Sequence, residues 1–121
     1  MSALNRQTSM RDGVPTKRVM AMVASGLTGR GLSSLSDESQ WHVALRLLLA
    51  CRRPVIITGF YVEEAGACET DGPMGAAVLG RALERLGKSP LIATDWRCRS
   101  VVSAASAALR GPKVFVASKG R

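Results

Sequence analysis

A chain of 121 residues has room for one domain, and a hydrophobic fraction of 46% suits a folded globular core. Only 4% of the residues are aromatic, which argues against a base-stacking platform for single-stranded nucleic acid, and the net charge of +8 is scattered without any run of five like charges, so nucleic acid is not the expected partner. Cys51, Cys68 and Cys98 are widely spaced with no Cys-x-x-Cys, which argues against a disulfide framework or a structural zinc site and for a reducing compartment.

Residues 1–16 are polar and basic, hold Gly13 and Pro15, and read as a mobile arm; residues 17–121 read as the domain. The first 30 residues carry five basic side chains and one acid with several Ser and Thr, as transit peptides do, but without a continuous amphipathic period. The expected location is therefore the cytoplasm, with an organellar matrix as the alternative. A helix is expected to begin within residues 17–23, and residues 25–34 are loop-like. Ser36 is the expected N-cap of a helix with Asp37 and Glu38 in its first turn and Trp41, Ala44, Leu45, Leu48 and Leu49 at helical spacing. The apolar run at residues 47–51 is far too short to span a membrane.

Pro54 ends that helix, and residues 55–58 form a short apolar strand that runs into Gly59. A helix opens on Gly72 and Pro73 and closes at Gly87, with Ala76, Leu79, Leu83 and Leu86 as its apolar stripe. Residues 90–95 make a second strand, 97–109 an Ala- and Ser-rich helix closed by Gly111 and Pro112, and 113–117 a third strand. The order β-α-β-α-β after a helix predicts an α/β fold: a parallel sheet with right-handed crossovers, an incomplete doubly wound, Rossmann-like three-layer domain. Three strands leave a bare sheet edge, through which self-association is expected.

The loop between the first strand and the helix at Gly72 is the chemically distinctive part. Four of the nine acidic residues (Glu63, Glu64, Glu69 and Asp71) sit there, and no Lys or Arg occurs from Pro54 to Gly80. It lies at the carboxyl end of a parallel strand and the amino end of a helix, where such folds bind ligands. It lacks the Gly-Lys-Ser/Thr of a Walker loop and the Gly-x-Gly-x-x-Gly of a dinucleotide site. A zwitterion fits better: N–H groups from Gly72 to Gly75 would take a carboxylate, and Glu69 or Asp71 an ammonium or a divalent metal. The plainer alternative is that Asp71 caps the helix and Glu69 is solvated. Asp95 ends the second strand, where it is either a site residue or the cap of the next helix. His42 is read as a surface or packing residue. Cys68 beside Glu69 is a poor nucleophile, since a negative neighbour raises a thiol pKa.

The segments Thr58-Gly59-Phe60-Tyr61-Val62, Glu69-Thr70-Asp71-Gly72-Pro73 and Gly75-Ala76-Ala77 resemble the D-glutamate cyclase family, specifically its C-terminal cyclase-like domain. The resemblance extends through residues 79–87 to Thr94 and Asp95, and upstream to Gly29-Arg30-Gly31-Leu32, covering roughly residues 17–117. Met74 stands where the family often has a second proline, and the family's later motifs have no counterpart here, so the expectation is a partial domain, inactive if those motifs are needed. The resemblance implies dehydrating cyclisation of D-glutamate to 5-oxo-D-proline, a lyase reaction. It makes Glu69 or Asp71 the base or ammonium anchor, Thr58 and Thr70 candidate hydroxyls beside Gly59, Gly72 and Gly75 as backbone donors, and Asp95 a supporting residue. No cofactor is required by the sequence, although a divalent metal at Glu69 and Asp71 is an option. A non-catalytic ligand-binding module and a phosphate- or nucleotide-binding protein are the competing readings.

Overall fold

The structure is a computed structural model that describes residues 22 and 38–118. The chain divides into two compact units, Met1–Arg46 and Leu47–Arg121. The expected arm, the helix start in residues 17–23 apart from Met22, the loop at 25–34 and the Ser36 cap lie outside the described residues.

Helix α1 (Glu38–Ala50) crosses the unit boundary. Of its predicted apolar stripe only Leu48 and Leu49 are half-buried, while Trp41 and Leu45 are exposed. The second unit then runs β1 (Val55–Ile57), β2 (Tyr61–Val62), β3 (Ala67–Cys68), α2 (Asp71–Arg85), β4 (Leu91–Asp95), α3 (Arg99–Ala108) and β5 (Val114–Ala117). Pro54, Gly59, Gly87 and the Gly111-Pro112 pair punctuate these elements as the sequence predicts. Gly87 takes φ +74°, which suits a glycine just past a helix end.

Strands β1, β4 and β5 form a parallel sheet in the order β1-β4-β5, with Ile56 beside Ile92 and Ile92 beside Val114. This is the expected α/β class with β-α-β-α-β connectivity. Because the strands advance in one direction, right-handed crossovers put both connecting helices on the same face, and α2 and α3 pack against each other as well as against the sheet. Ile92, Cys98, Val102, Ala76 and Cys68 form the core beneath them. On the opposite face Val55 is 58% exposed, Ile57 84% and Phe115 56%. The described sheet and its crossover helices are thus one half of a doubly wound arrangement.

Two local expectations are corrected. The inward face of α2 is Pro73, Ala76, Ala77, Gly80 and Leu83, whereas Leu79 and Leu86 are exposed. Close approach sets this choice: a Cβ on Gly80 would lie 2.5 Å from Cγ of the buried Pro112 ring, so α2 can turn this side inward only with a glycine at that position. The acidic loop is also not irregular. It contains an antiparallel hairpin pairing Tyr61 with Cys68 and Val62 with Ala67, turned at Gly66 (φ +59°), whose N–H bonds the Glu63 carbonyl. No helix among the described residues is long and apolar enough to cross a membrane.

Candidate functional site

The predicted residues of three segments meet at the carboxyl end of the parallel strands. The Thr58 N–H donates to the Ala93 carbonyl, which extends β1 pairing to the rim, and Gly59 then turns the chain with φ +119°. The hairpin returns it, and the Glu69 N–H bonds the Phe60 carbonyl at 2.8 Å. Thr70 occupies the N-cap position of α2, yet its hydroxyl makes no capping bond. The Asp71 Oδ1 instead accepts from the Gly72 N–H at 2.8 Å, so a carboxylate already sits on the positive end of the helix. Gly72 lies over Thr58: a Cβ there would come within 3.1 Å of the Thr58 Oγ1. Gly75 faces open space, so packing does not require a glycine at that position. The Glu69 and Asp71 side chains are exposed.

Asp95 closes the rim from β4. Its Oδ1 accepts from the N–H groups of Arg97 and Cys98, at 2.7 and 3.0 Å. It therefore caps the turn that leads into α3, which begins at Arg99. Behind it the Thr94 hydroxyl is buried and without a hydrogen-bond partner. A Cβ on Gly59 would lie 2.5 Å from that hydroxyl and 3.1 Å from the Cys98 Cβ.

Sequence reasoning missed a cluster beside these residues. The Arg97 guanidinium pairs with the Glu63 carboxylate and lies 4.8 Å from the Tyr61 ring centroid and 5.3 Å from that of Trp96. Arg97 joins the hairpin to the start of α3 across 34 positions of sequence. The available signal was its place two residues beyond Asp95, at a strand's carboxyl end. Among the described residues no three His, Cys, Asp or Glu side chains converge as a metal site. A groove of about 700 Å³ lies between the C-terminal halves of α2 and α3, lined by Val78, Arg81, Arg85, Leu86 and Leu109.

The family model described as D-glutamate cyclase-like, C-terminal, matches residues 19–120. The chain belongs to that family. Comparison with curated proteins and with solved structures gave no significant match. The family match spans the hairpin, the Glu69–Gly72 segment, Asp95 and the Arg97 cluster, so the whole rim lies within the cyclase-like domain.

The domain's two inner cysteines are structural in character. Cys68 is buried and its thiol donates to the Glu69 carbonyl at 3.3 Å. Cys98 is 0% exposed, and burial, reinforced by a hydrogen bond with Cys68 and by Asp95, pushes its thiol up to about 12. Cys98 is therefore not a thiolate nucleophile under ordinary conditions. A thiol held protonated in the folded state favours folding fully below its unfolded pKa and loses that contribution as pH rises toward the folded value. The urea midpoint should therefore decline between pH 9 and 12 more steeply in the native chain than in Cys98→Ala. Equal declines would show that the thiol is not held in this way.

Proposed function

We propose that the chain cyclises D-glutamate to 5-oxo-D-proline with loss of water. The observation that carries the reading is the convergence of Thr58, Gly59, Glu69, Thr70, Asp71, Gly72 and Asp95 at the carboxyl end of a parallel sheet, in a domain of the D-glutamate cyclase-like family. The amine nitrogen must lose a proton and attack the γ-carboxyl carbon. A C–N bond forms, a C–O bond breaks, and the departing oxygen leaves as water. Asp71 is held on the helix end by the Gly72 N–H and suits the role of ammonium anchor. Glu69 has an exposed carboxylate on a backbone tied down at its N–H and carbonyl, and suits the role of proton acceptor. The Thr58 and Thr70 hydroxyls border the same loop and would donate to the γ-carboxyl oxygen as it gains charge. Asp95 fixes the β4–α3 turn. Holding the substrate bent brings amine and carboxyl into reach of each other.

A second reading is favoured by three hydrogen bonds. The Gly72 N–H and the Asp95 Oδ1 are already engaged within the chain, as in a ligand-binding module without turnover. The test is incubation of the purified chain with D- and L-glutamate and chiral analysis for 5-oxoproline. Product from D-glutamate alone supports cyclisation. D-glutamate binding with no product supports the module, and a folded chain that does neither overturns both. Three free cysteines, Cys51, Cys68 and Cys98, support a reducing location such as the cytoplasm. The outer strands β1 and β5 support self-association through a sheet edge.

A further inference from the structure

D-glutamate carries two carboxylates, and the loop that would receive it carries four acids and no Lys or Arg from Pro54 to Gly80. A cation must come from elsewhere in the fold. Arg97 stands at the right place: its backbone N–H is fixed on Asp95 Oδ1, and its guanidinium lies 4.8 Å from the ring of Tyr61, the residue that pairs across the hairpin with Cys68, next to Glu69. Two aromatic rings hold the group, and a guanidinium stacked in this way keeps its edge N–H donors for a carboxylate. Its present partner is Glu63, on the hairpin turn with a side chain 68% exposed. An ion pair so open to water is weak and replaceable. A ligand whose ammonium is simultaneously held at Asp71 would compete well, because its second contact is made at high effective concentration.

We propose that Arg97 is the anchor for a substrate carboxylate and that Glu63 is an internal competitor which the substrate displaces. This rests on the cyclisation reading for the identity of the substrate, and its signature is a pair of opposite effects. Removing the anchor weakens binding; removing the competitor tightens it. An ion pair that only ties the hairpin to α3 would weaken binding in both cases.

The experiment compares the native chain with Arg97→Met, Arg97→Lys and Glu63→Gln by calorimetry with D-glutamate and by KM for 5-oxoproline formation. Arg97→Met should raise Kd and KM roughly tenfold to a hundredfold, the range for losing a charged hydrogen bond. Arg97→Lys should recover part of that loss, and Glu63→Gln should lower Kd severalfold. Losses of similar size in Arg97→Met and Glu63→Gln, or no change in either, overturn the proposal while leaving cyclisation intact. If Arg97→Met does not fold, the direction of change in Glu63→Gln decides. If the native chain forms no 5-oxoproline, the cyclisation reading falls and the calorimetric titrations with D-glutamate decide alone. D-glutamate binding that weakens in Arg97→Met and tightens in Glu63→Gln upholds the anchor; no D-glutamate binding by the native chain overturns it.

Discussion

Glu69→Gln is expected to cut D-glutamate turnover roughly a hundredfold to ten-thousandfold, the range for losing a positioned general base, with little change in KM. Asp71→Asn should instead raise KM, because it keeps the shape of the side chain while removing the charge that holds the ammonium. Both side chains are exposed, so neither change should disturb folding. The contrast with Asp71→Ala isolates the structural share of this residue. Alanine also removes the acceptor on the Gly72 N–H, which stabilises the helix end by about 1 kcal/mol. If Asp71→Asn binds and turns over D-glutamate normally while Asp71→Ala loses only that stability, Asp71 is a cap and no more. Steady-state kinetics and urea denaturation on the three variants decide the matter.

Gly59→Ala should be the most damaging single methyl group at the rim. The backbone there has φ +119°, a conformation that costs a side-chain-bearing residue about 1–3 kcal/mol. The new Cβ would also meet the Thr94 Oγ1 at 2.5 Å and the Cys98 Cβ at 3.1 Å, an overpacking that typically costs about 1–3 kcal/mol more. Against a total stability of about 5–15 kcal/mol for a small domain, that is a large share. The Thr94 hydroxyl has no partner to lose, so Thr94→Ala should relieve the closer clash and restore part of the stability in the double variant. Urea midpoints of the four proteins give the coupling directly. An unchanged midpoint in Gly59→Ala would mean that this turn is not as tight as the structure has it.

The order of elements was legible because glycine and proline mark nearly every boundary, and because each parallel strand is a short apolar run between them. The family was legible in the Thr58-Gly59-Phe60 and Glu69–Pro73 segments. The apolar face of α2 was misjudged, since hydrophobicity favours Leu79 and Leu86 while the approach of Gly80 to Pro112 favours small residues. That choice depends on a contact across 32 positions, which no local pattern carries. The hairpin escaped notice because each of its strands has two residues, too few to show alternation. The candidate site was half visible. The strand-end acids stand where they were expected, and the capping role of Asp95 was one of its two anticipated readings. The Arg97 cluster could not be read, because Glu63, Tyr61 and Arg97 become neighbours only when the hairpin folds back over the end of β4.

Substrate binding at the strand-end rim can be observed directly. Titrating the ¹⁵N-labelled chain with D-glutamate and following its amide resonances tests this without relying on turnover. Shifts are expected to concentrate at Gly59, Glu69, Thr70, Asp71, Gly72, Asp95 and Arg97, with weaker shifts for L-glutamate. Shifts confined to the groove at Val78, Arg85 and Leu109, or none at saturating D-glutamate, would contradict it.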